Sequence, residues 1–473
     1  MSAEPLRPLH FIAIGGAGMS GLALVCHRLG HSVTGSDRAE SAYVERLRAA
    51  GIEPLIGHDA GAVPADAEVV VSTAVPEDNV ELVRARERGQ PVIHRGELLA
   101  RLCAGKRLIA VAGAHGKTTT AGMIAHALAA AGVDPSFVLG GELPGAGPGG
   151  APANAGWGSS DWIVAEADES DGSFLELDPE IAVVTNVELD HHAHWGGEGE
   201  LIAAFARFAE RAATLIRPAG SRLAALDGAG RVLGYAVAPL TGAPVPAALL
   251  AAEVEPAAGG CRFRALSDEL GGLEVRLGVP GRHNVADATA AIGALGCARE
   301  LDPGLPPLAE LSAALASFPG MSRRLERKGE RSGAVVYDDY AHHPTEVAAS
   351  LAALRELPHR RLIAVFQPHL YSRTKALAGR FGRALAAADE IGVLDVYAAR
   401  ERPVGPLEGV SGLDVAAAAA DAAPGRRVSW LVDADRAELV LAGRLGPGDL
   451  LVTLGAGDIF MLADRLVGAK GER

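Results

Sequence analysis

One stretch of the chain combines an apolar strand, a glycine-rich turn and a lysine followed by hydroxyls. Residues 108–120 read Leu-Ile-Ala-Val-Ala-Gly-Ala-His-Gly-Lys-Thr-Thr-Thr. Gly113 and Gly116 would let backbone N–H groups approach a polyphosphate, and Lys117 can neutralise the outer phosphates. The hydroxyl of Thr118 is placed to hold Mg²⁺. This combination predicts that the chain binds ATP.

The surroundings of this turn support the same interpretation. A helix predicted over 121–131 would direct its positive N-terminal end at the anion. Val111 occupies the position of the first glycine of a full Walker A motif, so the string is a shorter variant. The alternative is an ordinary strand-to-helix turn, which does not explain why the glycines, the lysine and the hydroxyls occur in this order.

Polar residues follow two further predicted strands. Glu166 comes after the strand 162–165, and His191 lies in the polar run 186–192 after the strand 181–185. Because the carboxyl ends of neighbouring parallel strands meet at one edge, these side chains could hold Mg²⁺ beside the glycine-rich turn Gly113–Gly116, called the phosphate turn below. The alternative is a solvated acidic loop with histidines that cap a helix.

The chain begins with a second glycine pattern. A strand over 9–14 leads into Gly16-x-Gly18-x-x-Gly21, and a second strand over 31–35 ends at Asp37. This βαβ start predicts that a diphosphate binds at the helix N-terminus formed by the segment Gly15–Gly21, called the glycine turn below, and it does not specify NAD.

Four later segments also place reactive side chains at element ends. Gly281-Arg282-His283-Asn284 precedes a predicted helix over 284–301 and could contact adenine or simply cap that helix. The adjacent pair Arg323-Arg324 could bind phosphate or be a solvated basic run. The runs 338–344 and 367–373 put His, Tyr and charge after predicted strands.

Composition limits the class of protein. The chain has 473 residues, of which 49% are hydrophobic and 4% aromatic, so an α/β core of Ala, Leu and Val is expected. The net charge of −14 argues against general binding to nucleic acid or anionic membranes. The four cysteines have no metal-binding spacing, and no apolar run of about 18 residues exists, so a cytoplasmic protein with free thiols is expected.

The pattern of elements predicts three domains, over 1–105, 106–317 and 318–473. In the middle segment, the Gly- and Pro-rich stretch 143–158 is predicted to be a long loop, and 215–280 is less regular. In the last segment, strands alternate with Ala-rich helices, which indicates a parallel sheet; these strands are predicted over 334–337, 362–366, 390–394 and 450–453.

Taken together, these strings resemble the Mur ligase family along nearly the whole chain. The similar strings, in order, are Gly15–Gly21, Gly113–Thr120, Glu166–Asp171, Asn186–His191, Gly281–Asn284, Arg323–Glu326, Asp338–Glu346, Phe366–His369 and Gly455–Asp458. The resemblance implies a Rossmann-like N-terminal domain, a central P-loop ATPase domain and a Rossmann-like C-terminal domain. It further implies that ATP, with Mg²⁺, drives the joining of L-alanine to the lactyl carboxylate of UDP-N-acetylmuramate through an acyl phosphate, in a monomer or homodimer.

The resemblance also implies roles for individual residues. Lys117, His191, Arg324 and Asp339 would be catalytic, and Thr118, Glu166 and His191 would hold the metal. The nucleotide would contact Gly113, Ala114, His115, Gly116, Lys117, Thr118, Thr119, His283, Asn284, Asp287, Arg324 and Asp339. The UDP-sugar would contact Gly16, Ala17, Gly18, Met19, Ser20, Asp37, Ser72 and Thr73, and L-alanine would contact Tyr340, His342, His369 and Arg373.

Three positions and one short stretch depart from the family pattern. Ala114 stands where Thr is common, Asp287 replaces the second Asn of the adenine motif, and Leu370 stands where some relatives have Arg. The stretch 192–195 also differs from the usual residues. Three other functions stay open at this stage: a ligase that reattaches a recycled tripeptide to the same sugar, an NAD-dependent dehydrogenase, and a non-catalytic UDP-sugar-binding regulator.

Overall fold

The computed structural model describes residues 6–188, 195–220, 222–228, 230–240, 246–257, 259–268, 271–399 and 401–468. It contains three sheets with helices on them, which is a three-domain α/β architecture. The chain divides into two compact units. The first comprises Met1–Glu253, Phe263–Arg276 and Ala286–Pro319, and the second comprises Val254–Arg262, Leu277–Val285 and Gly320–Arg473. The domain limits 105/106 and 317/318 stay a prediction.

The first sheet is formed by five parallel strands in the order β3-β2-β1-β4-β5. The central strand is almost free of exposed surface, which explains its run of apolar residues. The elements are β1 (Leu9–Ile12), α1 (Ala17–Arg28), β2 (Val33–Asp37), α2 (Ala42–Ala49), β3 (Leu55–Ile56), β4 (Glu68–Val71), α3 (Val80–Glu87), β5 (Val92–His94) and α4 (Arg95–Cys103).

The second sheet has ten strands in the order β15-β14-β13-β12-β11-β10-β6-β9-β7-β8. The phosphate turn follows β6, which lies between two parallel neighbours, β9 and β10. The elements are β6 (Arg107–Ala112), α5 (Lys117–Ala130), β7 (Ser136–Leu143), β8 (Ala153–Gly156), β9 (Trp162–Glu166), β10 (Ile181–Val184), α6 (Glu198–Glu210), β11 (Thr214–Pro218), β12 (Arg231–Val237), β13 (Leu249–Ala257), β14 (Gly260–Ser267), β15 (Gly271–Leu277), α7 (Arg282–Leu301) and α8 (Leu308–Ala313).

The third sheet has six strands in the order β16-β17-β21-β18-β19-β20. All its pairings are parallel except that of β16 with β17. The elements are β16 (Glu326–Arg331), β17 (Ala334–Asp339), α9 (Pro344–Arg355), β18 (Arg361–Phe366), α10 (Tyr371–Leu385), β19 (Glu390–Leu394), α11 (Gly412–Ala422), β20 (Arg427–Val432), α12 (Ala434–Ala442), β21 (Asp449–Leu454) and α13 (Phe460–Val467).

Several element limits differ from the sequence-based expectation. The helix after the phosphate turn begins at Lys117, immediately after the glycine, and not at Ala121. The stretch 143–158 is not one long loop, because β8 lies inside it and pairs antiparallel with β7. The irregular region 215–280 contains β11 to β15. Most of these strands are rich in Gly, Ala and charge, so their sequences lack the apolar runs of buried strands.

The structure also bears on two expectations from composition, which concern the cysteines and long apolar segments. All four cysteines are free and buried. Among the residues described, no helix combines the length and the apolar character that crossing a membrane would require.

Candidate active site

The turn after β6 depends on its glycines. Gly113 and Gly116 have φ of 131° and 80°, a region that L side chains rarely adopt. A Cβ on Gly113 would lie 2.2 Å from Thr185 Oγ1, and one on Gly116 would lie 2.4 Å from Asp287 Oδ1. The tight turn therefore brings the N-terminus of α5 to the edge of the sheet, where its N–H groups can bind phosphate.

Polar residues after β10 hold this turn in place. Asn186 Oδ1 accepts a hydrogen bond from the backbone N–H of His115 at 3.0 Å, and Asn186 Nδ2 donates to the His115 carbonyl at 2.8 Å. Thr185 Oγ1 donates to the same carbonyl at 2.5 Å. His115 Nε2 lies 3.1 Å from Glu188 Oε2. These contacts fix the shape of the turn. Sequence reasoning assigned no role to Asn186, although its position at a strand end could have revealed one.

Lys117 is nearly buried, with 11% of its side chain exposed. Its Nζ donates to the Gly113 carbonyl at 2.5 Å and to Glu169 Oε1 at 3.2 Å. Burial alone would lower the pKa of Lys117, but the carboxylates of Glu169, Asp168 and Glu166 outweigh it and raise the pKa. The ammonium therefore stays charged beside the phosphate turn.

Thr118 and Glu166 form the oxygen-rich part of the site. Thr118 Oγ1 donates to Glu166 Oε2 at 2.7 Å, and the backbone N–H of Gly140 donates to the same oxygen at 2.8 Å. A Cβ on Gly140 would lie 2.5 Å from Glu166 Oε1, so a side chain there would displace this carboxylate. A hydroxyl and a carboxylate are ligands that suit Mg²⁺. The third predicted metal ligand, His191, lies outside the described residues, as does His192.

An acidic segment follows Glu166. Burial would raise the pKa of Asp168, but the charges of Lys117 and Arg95 lower it to about 2. Burial raises the pKa of Glu169, although Lys117 opposes that rise. Arg95 Nη2 donates to Asp168 Oδ2 at 2.8 Å and to Asp171 Oδ2 at 3.0 Å. Sequence reasoning missed Arg95, because no motif marks it and its partners are distant in the chain.

The predicted UDP-sugar residues collect at the carboxyl edge of the first sheet. The backbone N–H of Gly15 donates to Asp37 Oδ2 at 2.8 Å, which ties the glycine turn to the end of β2. Ser72 and Thr73 directly follow β4, the other neighbour of β1. Ala13 has a φ of 63°, a strained conformation typical of functional turns.

Three residues of the glycine pattern have a structural role as well. Met19 and Ser20 are buried, and Ser20 Oγ donates to the Ala17 carbonyl at 3.1 Å, so any contribution of these two to a ligand comes from backbone. Gly21 packs against β8, where a Cβ would lie 3.0 Å from Ala155 Cβ. Its lack of a side chain therefore permits the close packing of α1 against β8.

In the second unit, two arginines follow one another but have different surroundings. Arg323 donates to Asp338 Oδ2 at 3.2 Å and to the Gly455 carbonyl at 2.7 Å, so it is a structural residue. The Arg324 guanidinium lies 5.1 Å from the centre of the Tyr340 ring. Arg323 and Leu325 have φ of 60° and 47°, so strained backbone flanks Arg324 on both sides.

Asp339 ends β17 and is buried. It accepts hydrogen bonds from the backbone N–H groups of Leu325 at 3.1 Å and Ala341 at 2.8 Å, and from Ser350 Oγ at 2.9 Å. Burial raises the pKa of Asp339 to about 6, although Arg324 opposes the rise. The carboxylate thus organises the segment that carries Arg324 and Tyr340.

The predicted alanine-binding residues form one cluster at the carboxyl edge of the third sheet. The Tyr340 and His342 rings are 5.3 Å apart, and those of His342 and His369 are 6.0 Å apart. Arg373 Nη1 lies 3.3 Å from His369 Nδ1. Tyr397, which the sequence did not reveal, stacks on His369 at 5.8 Å. Leu370, beside His369, has a strained φ of 68°.

The residues predicted to contact adenine fall at the start of α7. Asn284 is buried and its Nδ2 donates to the Pro280 carbonyl at 2.6 Å, which is a local structural contact. Burial and the charge of Arg324 lower the pKa of His283 to about 4. Asp287 lies beside Gly116, at the phosphate turn. An adenine contact for these residues stays a prediction.

Comparisons with known proteins cover all three domains. Family models described as "Mur ligase family, catalytic domain", "Mur ligase middle domain" and "Mur ligase, glutamate ligase domain" match residues 8–107, 111–295 and 323–457. The UDP-N-acetylmuramate–L-alanine ligase of Mycobacterium avium is 44% identical, with 98% of this chain and 95% of the relative covered. The ligase of the same name from Kineococcus radiotolerans is 46% identical, with 99% and 97% covered.

Solved structures are similar along the whole length. The UDP-N-acetylmuramate–alanine ligase of Thermotoga maritima matches with a TM-score of 0.82 and 28% identity, over 98% of both chains. A murein peptide ligase from Psychrobacter arcticus matches with a TM-score of 0.69 and 25% identity, over 99% of both chains.

Proposed function

The chain belongs to the Mur ligase family, and on this premise we propose that it joins L-alanine to UDP-N-acetylmuramate at the expense of ATP, a step of peptidoglycan synthesis. The proposal depends on one observation: nearly the whole chain is similar to relatives named UDP-N-acetylmuramate–L-alanine ligase. The phosphate turn with its charged, nearly buried Lys117 supports the ATP-dependent part of the reaction.

The first step is the activation of the sugar's lactyl carboxylate. A carboxylate oxygen attacks the γ-phosphorus of ATP, the bond to the β–γ bridging oxygen breaks, and ADP leaves with that electron pair. Lys117 and the N–H groups that begin α5 stabilise the negative charge on the transferring oxygens. Hydrogen bonds to Glu169 and to the Gly113 carbonyl hold the Lys117 ammonium in position, so the side chain needs little reorganisation during the reaction.

A magnesium ion fits the donors next to this turn. Thr118 and Glu166 supply a hydroxyl and a carboxylate that already contact one another, and His191 is the further ligand that we propose. Mg²⁺ bound there would neutralise charge on the polyphosphate.

The second step joins the amino acid. The neutral amine of L-alanine attacks the acyl carbon, phosphate leaves, and the amine loses a proton. We assign the alanine carboxylate to Arg373, because a guanidinium can bind a carboxylate with two hydrogen bonds. His342 Nδ1 lies 3.0 Å from the Tyr340 carbonyl and donates a hydrogen bond to it, so Nε2 carries the lone pair. His342 is therefore the candidate, among the described residues, for accepting the proton of the amine at Nε2.

The first domain would hold the UDP-sugar at its glycine turn, with Gly16, Gly18, Asp37, Ser72 and Thr73 around the diphosphate. The four free thiols and the sugar-nucleotide substrate support a location in the cytoplasm.

The experiment is an assay of phosphate release with purified protein. Release should require ATP, UDP-N-acetylmuramate and L-alanine together, and EDTA should abolish it until Mg²⁺ is restored. Replacement of L-alanine by L-alanyl-γ-D-glutamyl-meso-diaminopimelate tests the tripeptide-ligase alternative. Faster release with the tripeptide than with L-alanine, or binding of NAD in calorimetry with none of the UDP-sugar, would contradict the proposal.

A further inference from the structure

The segment that follows β19 runs beside the residues that follow β18, within the second compact unit. The backbone N–H of Tyr397 donates to the Pro368 carbonyl at 2.8 Å, and the N–H of Leu370 donates to the Tyr397 carbonyl at 3.0 Å. His369 and Tyr397 form an isolated parallel bridge at this point. The backbone of Tyr397 is therefore tied to the turn that carries His369, at the carboxyl edge of the third sheet.

Further along the chain, Glu401 contacts the first turn of α10. Its Oε2 accepts a hydrogen bond from the backbone N–H of Ser372 at 2.9 Å, and Ser372 Oγ donates to Glu401 Oε1 at 2.5 Å. Leu370, which precedes the helix, provides no side-chain cap of its own. Because a carboxylate near a helix N-terminus is favourable, Glu401 stabilises the turn in which Arg373 lies.

The ring of Tyr397 lies against Gly457 and against His369. A Cβ on Gly457 would lie 2.6 Å from Tyr397 Cγ, so the ring occupies the space that a side chain at 457 would need. The φ of Gly457 is not positive, so space and not backbone conformation explains this glycine. The rings of Tyr397 and His369 are 5.8 Å apart and only 15° from parallel. The string Gly455–Asp458, which the sequence singles out without a role, thus makes room for the Tyr397 ring.

The orientation of the His369 ring decides whether it can contact Arg373. Arg373 Nη1 lies 3.3 Å from His369 Nδ1. A guanidinium only donates hydrogen bonds, so Nδ1 is the acceptor and the neutral imidazole carries its proton on Nε2. Rotation of the imidazole out of its plane would move Nδ1 away from the guanidinium. The stack with Tyr397 opposes that rotation, because it would separate the two ring faces.

We propose that Tyr397 is a positioning residue for the amino acid: its ring fixes the plane of His369, and His369 fixes the guanidinium of Arg373. This deepens the proposed function, on which it rests, because Arg373 is the residue that we assign to the alanine carboxylate. An arginine side chain has many rotamers, and holding it in one before the substrate binds lowers the entropy cost of binding.

The test compares Tyr397→Leu with Tyr397→Phe in the phosphate-release assay of the full-length protein. Leucine removes the ring, so the KM for L-alanine should rise about threefold to tenfold, the effect of losing one aromatic pair. The KM values for ATP and UDP-N-acetylmuramate should stay within about twofold. Phenylalanine keeps the ring and should match the unsubstituted protein, because the Tyr397 hydroxyl has no hydrogen-bond partner among the described residues.

Trp430→Leu is the matched control. It makes the same kind of substitution at a partly exposed aromatic residue of β20, the strand next to β19, and should leave all three KM values unchanged. If Tyr397→Leu does not fold, Tyr397→Met takes its place, since methionine fills the space without a ring.

A double-mutant cycle tests whether Tyr397 acts through Arg373. Tyr397→Leu should raise the alanine KM in the unsubstituted background and should add less than about twofold in the Arg373→Lys background, where the fork that it positions is already missing. A purely structural role, or a direct contact with alanine, would give equal losses in both backgrounds.

A spectroscopic measurement tests the first step without any substrate. In full-length protein whose histidines carry an NMR-active nitrogen isotope, the His369 signals, assigned by their loss in His369→Gln, report which ring nitrogen is protonated. The unsubstituted protein and Tyr397→Phe should show a proton on Nε2 and none on Nδ1. In Tyr397→Leu the two signals should move toward each other as the tautomers exchange.

An alanine KM within about twofold of the unsubstituted protein in a folded Tyr397→Leu would overturn the inference. Equal losses in Tyr397→Phe or Trp430→Leu, or an unaltered His369 spectrum in Tyr397→Leu, would do the same. Failure of the proposed function looks different: the unsubstituted protein would release no phosphate with L-alanine, while the histidine spectra would still decide whether Tyr397 orients His369.

Discussion

Lys117 and Arg373 are both cations at the carboxyl end of a parallel strand, but their surroundings differ. Lys117 is enclosed by carboxylates and by the carbonyl of its own turn. Arg373 is partly buried in the first turn of α10, with Nη1 near His369. The chain has a net charge of −14, so an anionic substrate must bind at local positive charges such as these two side chains.

Arg373→Lys should raise the KM for L-alanine by about tenfold or more, because a lysine replaces a two-pronged contact with a point charge. The KM values for ATP and for UDP-N-acetylmuramate should stay within about threefold. Three saturation curves on the purified variant measure this.

Arg383→Lys, at the exposed end of the same helix, is the control and should leave all three curves unchanged. An unaltered alanine KM in Arg373→Lys, or an ATP KM that rises as much, would move the carboxylate site to another residue.

Helix α1 combines two tasks in one element. Its N-terminus lies at the glycine turn, and its buried face packs on the β7–β8 pair of the middle domain through Gly21. The Asn154 amide also donates to the Ala17 carbonyl in the first turn. The position of the glycine turn is therefore set partly by a strand pair outside its own sheet.

Gly21→Leu should separate α1 from β8, because even a Cβ at this position would be 3.0 Å from Ala155 Cβ. We expect a loss of about 1–3 kcal/mol in the free energy of unfolding and weaker UDP binding.

Gly199→Leu is the matched control, since Gly199 lies in a helix with open space around its Cβ position. That variant should be as stable as the unsubstituted protein or slightly more stable. Equal stability of the two variants, measured by thermal unfolding, would contradict the packing role of Gly21.

The same helix shows what the sequence could and could not predict. The glycine turn, the phosphate turn and the polar strand ends were predictable, because their chemistry requires particular residues in a fixed order. The partner of Gly21 was not, because β8 is four residues of Ala, Asn and Gly that resemble a loop. Arg95 was missed for a related reason: its value depends on two carboxylates more than 70 residues away.

For the molecule as a whole, buried titratable groups make opposing contributions to the pH dependence of stability. The pKa of His283 is lowered to about 4 by burial and by Arg324, so the folded chain resists its protonation. The pKa of Asp339 is raised to about 6 by burial, so the folded chain takes up that proton earlier than the unfolded chain does. As the pH falls from about 6.5 to 4, His283 therefore costs stability, whereas Asp339 adds stability as the pH falls from about 6 to 4.

His283→Gln should expose this balance. Above about pH 6.5 the imidazole is neutral in both states, so its contribution is fully present; below that pH the unfolded chain binds a proton that the folded chain does not, and stability is lost. The variant lacks this loss, so between pH 7.5 and pH 5 its free energy of unfolding should fall less than that of the unsubstituted protein, by on the order of 1–2 kcal/mol. Urea titrations at several pH values measure the two curves. His27→Gln, at an exposed position of α1, is the matched control for the substitution itself. Parallel curves for His283→Gln and the unsubstituted protein would mean that His283 is protonated as readily in the folded chain as in the unfolded one, and that its burial at the start of α7 does not govern its charge.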